Sequence, residues 1–486
     1  MARARRASRY RRAPPSRVVT GTRSVRDSST AHLPLIDWLG GHGADPAASA
    51  ELRGEDLLRC NRVLLADMRI EADVVRQNRA PMLRLRTGSR VGAIPLRSPV
   101  SGRPDFGLVV TPRFPWSGVG DLLAETGFRV TPELLPVPDL PQSERRIPPW
   151  VMASVVLARL KTLLDDMSRR FTTVSEDLRA PRGAVDWTTY AGARLPYGRA
   201  LSVPCRYPDL RDDEELRGAI LWTVQRQREA LLAAPASGRV ARQLLSVCDA
   251  LTARLAGTPP MPPGSRLRSA WRDRRVATPA FRDGVEAIDW TVDERGLAGL
   301  SDLSGLAWRL DMDTFFEAWV ETIATWTARR IGATVHSGST QQTRVPLDWT
   351  PSGSGSQRSV LPDVVLRRDD VVVILDAKYK QHASDIERLG WGRVSEAVQE
   401  RHRTDLLQAL AYSTLFDAPR VVTMLVYPCG VDAYRRLVER DRVLQVARVR
   451  TAPRNVEVGL MAVPLGGEVS AAGEVLGLWV QSPAST

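Results

Sequence analysis

Apolar positions along the chain follow three patterns. Between 81 and 115, MLRLRTGSRVGAIPLRSPVSGRPDFGLVVTPRFPW alternates short β-branched runs with Gly and Pro, which predicts a small β-domain of hairpins. From Trp150 to Phe171, the residues Val151, Val155, Leu160, Leu163, Leu164, Met167 and Phe171 recur at helical spacing and predict an amphipathic helix. Two further helices are expected at Asp213–Ala234 and Arg239–Ala256, their Arg and Glu residues forming solvated faces. Elsewhere the pattern breaks down. His32–Leu58 opens as a polar, Gly-rich stretch that would place His42 in a loop, 183–210 reads as a loop, and the six prolines of 130–149 read as a linker.

The last third combines helical and strand-like patterns. DMDTFFEAWVETIATWTARRI (311–331) sets Phe316, Trp319, Val320, Ile323 and Trp326 on one stripe and predicts a helix. Strand-like pieces follow at Arg344–Trp349, then a loop at Pro351–Gln357, then two apolar runs flanking a polar turn at Arg367–Asp370. A helix near Ser395–Phe416 and a strand at Val421–Tyr427 complete a helix–strand–strand–strand–helix–strand order. That order predicts a mixed sheet flanked by helices. The expected fold class is α/β and multi-domain, with a basic tail at 1–30, a β-rich domain at 31–145, a helical domain at 146–265 and the mixed-sheet domain at 266–486.

Composition narrows the class. A chain of 486 residues with 43% hydrophobic and 25% charged content fits a globular protein of two to four domains. Much of the formal charge of +13 is local, because residues 1–30 hold nine Arg and one Asp. That tail is expected to be a disordered extension, with contacts to DNA phosphates or an organellar address as the other readings. No run of about 18 apolar residues occurs, so no membrane span and a cytosolic location are expected. Cys60, Cys205, Cys248 and Cys429 lie far apart without a Cys-x-x-Cys, which indicates neither a zinc site nor a disulfide framework.

Candidate chemistry lies in LPDVVLRRDDVVVILDAKYK (361–380). Pro-Asp occurs four times, at 104–105, 138–139, 208–209 and 362–363, but only the last precedes a β-rich run ending in Asp-x-Lys. The lysines strengthen the case. Of 68 basic residues only Lys161, Lys378 and Lys380 are lysines, and a compact charge able to take part in proton transfer is what Arg cannot supply. Asp363 and Asp376, with the backbone carbonyl of Ala377, are suited to hold Mg²⁺, or alternatively Mn²⁺, while Lys378 positions the attacking water or offsets charge in the transition state. None of the three lysines follows a glycine, so the chain has no Gly-Lys-Ser/Thr phosphate-binding loop.

Other candidates carry two readings each. Glu317 is either a third acidic metal ligand or the far end of a Thr314-x-x-Glu317 capping box. Asp405, Gln408 and Tyr412 share a helix face, where Gln408 and Tyr412 either face the attacked phosphate or lie on an exposed polar surface. Lys380 suits a DNA phosphate contact or shares the role of Lys378.

These residues resemble the PD-(D/E)xK nucleases. DMDTFFEAWVETI, LPDVVLRRDDVVVILDAKYK and RTDLLQALAYSTLF are similar, in order and spacing, to the catalytic domain of the McrC family, the nuclease subunits of McrBC-type modification-dependent restriction systems. VGAIPLRSPVSGRPDFGLVVTPRFPW, RGAVDWTTYA and VPCRYPDLRDDEELRGAILW extend the likeness loosely upstream. The resemblance implies a Mg²⁺-dependent DNA endonuclease of antiviral defence, with Glu317, Gln408 and Tyr412 beside the catalytic centre. It also implies a McrB-like AAA+ hexamer on a separate chain, using GTP or ATP, which reads methylated DNA and whose hydrolysis this chain stimulates through its amino-terminal part. The alternatives are a stand-alone repair or processing nuclease and a non-catalytic regulator of a motor.

Overall fold

The computed structural model describes residues 21–39, 45–135, 140–141, 149–167, 170–211, 213–233, 238–274, 277–293, 304–305, 307–350, 357–380, 393, 396–449 and 455–482. It is a multi-domain α/β chain with several sheets. Residues 1–20, His42 and most of the Pro-rich 136–148 segment lie outside the described residues, but the rest of the tail expected at 1–30 is ordered: Gly21–Arg26 is a strand pairing in parallel with Phe106–Thr111.

The amino-terminal part contains a helix where the polar pattern suggested a loop. Pro46–Asp67 is α-helical because Asp45 caps it, its side chain accepting from the amides of Ala47 and Ala48 at 3.0 Å, and Pro46 fits the first turn. Its buried positions, Ala50, Gly54, Leu57, Asn61 and Leu65, follow helical spacing and face an antiparallel sheet ordered Thr30–Pro34, Ala80–Thr87, Ile70–Gln77. A second sheet is ordered Gly21–Arg26, Phe106–Thr111, Arg90–Leu96, Trp308–Asp311, Glu133–Leu134. Trp308–Asp311 thus returns from far along the chain to pair antiparallel with Arg90–Leu96. Gly92 permits that approach, since a Cβ there would lie 2.1 Å from the carbonyl oxygen of Trp308.

The middle is a bundle of Pro149–Asp166, Glu214–Ala233, Gly238–Arg254, Ser265–Arg272 and Pro279–Val292. The first helix stops at Asp166, short of the expected Phe171. Phe171 instead belongs to the strand Arg170–Leu178, which pairs with Val203–Arg211, and β-branched Thr172, Thr173 and Val174 explain the switch. Ala184–Val185 completes a three-stranded sheet and Trp187–Ala193 adds a helix, so 183–210 is structured rather than a loop. The expected boundary at 265/266 does not separate two cores. Phe281, Val285 and Ile288 bury in the same cluster as Leu160 and Leu163, and that cluster continues through Trp319, Leu366, Val373 and Leu476.

The carboxy-terminal sheet has six strands, ordered Thr334–Ser337, Val364–Arg368, Val371–Ala377, Arg420–Cys429, Asn455–Pro464, Leu444–Arg448. The first three are antiparallel, the third to fifth parallel, and the last antiparallel, which is the expected mixed sheet. Met312–Ile331 and Val469–Gln481 bury Phe316, Trp319, Ile323 and Leu476 in the main cluster, while Glu396–Ser413 covers Leu425 and Tyr427 with Ala409. Covered on both faces, Arg420–Cys429 is buried at every position. Within Arg344–Trp349 only Val345–Pro346 is a strand.

Candidate active site

The register of one hairpin brings the two aspartates together. Val364–Arg368 and Val371–Ala377 are joined by Asp369 and Asp370, with Asp369 at φ 48° in the left-handed region that short polar residues tolerate. Val364 pairs with Leu375, so the preceding residue, Asp363, stands across from Asp376, and opposed residues of an antiparallel pair project from one face. Asp376 is the charged group at the end of a buried apolar run, with 1% of its surface exposed. Pro362-Asp363 is fixed from behind: Gly338 N–H donates to the Asp363 carbonyl at 2.7 Å, and the Thr343 hydroxyl donates to the Pro362 carbonyl at 2.5 Å. A Cβ on Gly338 would come within 2.7 Å of that same Pro362 oxygen.

Hydrogen bonds then organise the cluster. The Ala377 amide donates to Asp363 Oδ2 at 2.8 Å. The Lys378 ammonium lies 2.8 Å from Asp376 Oδ2 and donates to Gln408 Oε1 at 3.0 Å. Gln408 Nε2 donates to the Tyr412 hydroxyl at 2.8 Å, which leaves the phenolic proton available for another acceptor. Lys380 is held by both oxygens of Asp405, at 2.7 and 2.9 Å. The face Asp405, Gln408, Tyr412 therefore points at the strand end, not at bulk water.

Burial and like charge dominate the electrostatics. Burial, then the neighbouring Asp376 and Glu317, push the Asp363 carboxyl up to about 7, against the opposing Ala377 hydrogen bond and Lys378. Asp376 is raised by burial, with Lys378 opposing. Glu317 is raised by burial and by Asp313 and Asp311, with Asp376 adding to them and Lys378 opposing. Burial alone would lower Lys378, but Asp376, with Asp363 and Asp405 adding to it, outweighs burial and keeps the lysine charged. Three acids and one ammonium thus share a poorly solvated site.

Residues 299–428, which include all of these groups, match the family model described as McrBC, 5-methylcytosine restriction system component. Among solved structures, the chain is similar to a chain of a half-complex from a tetradecameric assembly of Thermococcus gammatolerans McrB AAA+ hexamers with bound McrC. That match has 14% identity over 94% of this chain and 99% of that one, with a TM-score of 0.40. A second, from the Thermococcus gammatolerans McrBC complex, has 12% identity over 63% and 88%, with a TM-score of 0.26. No curated protein matches the chain.

The capping-box reading of Glu317 does not hold. Its helix is capped by Asp311, whose side chain accepts from Asp313 and Thr314, so the Thr314-x-x-Glu317 capping box does not form. Among the described residues, no three His, Cys, Asp or Glu side chains form a metal-binding group on their own. The donor set still fits a hard cation. Asp376 Oδ2 is buried 2.8 Å from the Lys378 ammonium, and two carboxylates completed by a carbonyl, water and phosphate is a normal magnesium arrangement. Lys380, read as a DNA phosphate contact or as sharing the role of Lys378, lies past the strand end at Ala377 and is engaged with Asp405.

Residue spacing gave no sign of the partner of Lys380 or of the surroundings of Tyr379. Tyr379 is buried between Phe114 and Phe316, with ring centroids 6.1 Å away in each case, and beneath the guanidinium of Arg113 at 4.3 Å. No local signal marks Arg113, which lies 266 residues from its contact. In the described residues no helix is long and apolar enough to cross a membrane.

Proposed function

We propose that this chain is the endonuclease subunit of a McrBC-like, modification-dependent restriction system, hydrolysing DNA phosphodiester bonds when driven by a separate AAA+ NTPase that it stimulates. The observation that carries this reading is Asp363 facing Asp376 across the hairpin, with Lys378 2.8 Å from Asp376 and hydrogen-bonded to Gln408. The family description of residues 299–428 as a restriction-system component supports the biological setting. The lack of a Gly-Lys-Ser/Thr sequence supports a motor on another chain.

Asp363, Asp376 and the Ala377 carbonyl, with Glu317 nearby, would hold Mg²⁺ or Mn²⁺, which supplies Lewis-acid polarisation of the phosphate and a more acidic bound water. Lys378 stays protonated beside Asp376 and offsets charge that develops on the phosphate oxygens. Gln408 fixes the direction of that ammonium. Burial raises Tyr412 above the ordinary phenol range, so it stays a neutral donor to an approaching phosphate oxygen.

The test uses the protein with its natural partners. The tagged chain is purified from its native host with whatever accompanies it, and cleavage of methylated and unmethylated plasmid is followed with Mg²⁺ and GTP or ATP. The expected result is nucleotide-dependent cleavage that falls by at least about 100-fold in Asp376→Asn, while stimulation of the co-purifying NTPase persists. Equal cleavage by wild type and Asp376→Asn would refute the assignment.

A further inference from the structure

The residue directly after the proposed catalytic lysine is gripped by the amino-terminal sheet. Arg113 follows the strand Phe106–Thr111, and its Nη2 donates to the Tyr379 carbonyl at 2.9 Å while its guanidinium lies over the Tyr379 ring at 4.3 Å. The arginine is itself anchored. Its backbone N–H donates to Asp27 Oδ1 at 2.6 Å, and Asp27, just past the strand Gly21–Arg26, has its own amide bonded to the Thr111 carbonyl. The Arg113 side chain is 9% exposed and that of Asp27 0% exposed, so water competes little for these contacts. A continuous chain of buried contacts therefore runs from the amino-terminal sheet to Lys378.

One link in this chain is slack. Arg113 Nε and Asp27 Oδ2 are 3.7 Å apart, beyond hydrogen-bond distance. The Tyr379 hydroxyl lies in the same joint and interacts with the Asp27 carboxylate and the Arg113 guanidinium.

We infer that Arg113 is a positioning residue for the cleavage centre: it holds the Tyr379 backbone, and with it Lys378, so that movement of the amino-terminal sheet changes the placement of the ammonium. The inference rests on the proposed role of Lys378 in cleavage. It gives the amino-terminal part a physical route to the phosphate-cleaving site, by displacing one peptide unit that adjoins the lysine. Arg suits this joint because a planar guanidinium can stack on the ring and donate to the carbonyl together.

The scarcity of lysine supplies a direct readout. With only Lys161, Lys378 and Lys380 in the chain, protein grown on ¹³Cε-lysine gives three side-chain NMR signals, and Lys161 serves as the reference. Arg113→Met in the full chain is expected to shift the Lys378 and Lys380 signals and leave Lys161 in place. With the accompanying NTPase, the turnover number for plasmid cleavage is expected to fall by about 10-fold to 100-fold, the scale of an ångström-level misplacement, with the KM for DNA and the NTPase rate unchanged. The double variant Asp27→Asn/Arg113→Met removes both charges, so neither is left buried alone, and carries the same expectation if the single variant does not fold. Unmoved Lys378 signals with cleavage within about twofold of wild type overturn the inference, as does a loss of cleavage matched by an equal loss of NTPase activity. If Asp376→Asn cleaves like wild type, the proposed function itself fails and takes this inference with it.

Discussion

Asp363→Asn should make the metal-free protein more stable while removing its proposed activity. The Asp363 carboxyl is raised from 3.8 to about 7, first by burial and then by Asp376 and Glu317. In the unfolded chain the group ionises near 3.8, so between that pH and about 7 the folded state binds the proton that the unfolded state has released. Stability therefore falls as pH rises through this window and stays low above it. At about 1.4 kcal/mol per pH unit, a gap of about three units costs about 4 kcal/mol at pH 8, and roughly a third of that at pH 5. Asparagine removes the charge, and its amide oxygen can still accept from Ala377 N–H, the bond Asp363 makes at 2.8 Å. Thermal unfolding in EDTA should show Asp363→Asn with a Tm above wild type by several degrees at pH 8, and a much smaller gain at pH 5. Added Mg²⁺ should raise the Tm of wild type more than that of the variant. A variant less stable than wild type at pH 8, or one with the same gain at both pH values, would show that no buried carboxylate repulsion exists here.

Two further outcomes test the supports of the site. Gly338→Ala places a methyl 2.7 Å from the Pro362 carbonyl oxygen, so it should displace Pro362-Asp363, cost about 1–3 kcal/mol in denaturant unfolding and reduce cleavage. Lys380→Met strands Asp405, whose side chain is 4% exposed, and should cost about 2 kcal/mol. The double variant Lys380→Met/Asp405→Leu should regain most of that loss, and a double variant no more stable than Lys380→Met would refute the pairing.

The site was legible where its chemistry is local. Asp363, Asp376 and Lys378 lie at the adjoining ends of two strands joined by a tight turn, so their convergence follows from hairpin register, and the i, i+3, i+7 spacing of Asp405, Gln408 and Tyr412 correctly placed them on one face. Which way that face pointed was not legible. Helical spacing says which residues share a stripe, but the packing of Ala409 on Leu425 and Tyr427 turns this stripe toward the strand ends. Glu317 shows the same limit in reverse: Thr314-x-x-Glu317 is a valid capping pattern, and it lost to Asp311 because the strand Trp308–Asp311 fixes where the helix begins. The Pro46–Asp67 helix was missed because its polar and small residues outnumber its core positions, although Asp45-Pro46 is a sound start signal.

The sequence by itself determined the order of elements in the last third, the aspartates and lysine of the candidate centre, and the absence of a Gly-Lys-Ser/Thr loop, because each depends on neighbouring residues or on short-range periodicity. Only the tertiary structure decided that Trp308–Asp311 joins the amino-terminal sheet, that one core runs through regions expected to be separate, and that Arg113 reaches Tyr379. Those contacts join positions up to 266 residues apart, and they are set by which surfaces can be buried together, a property of the packed chain that no local pattern encodes.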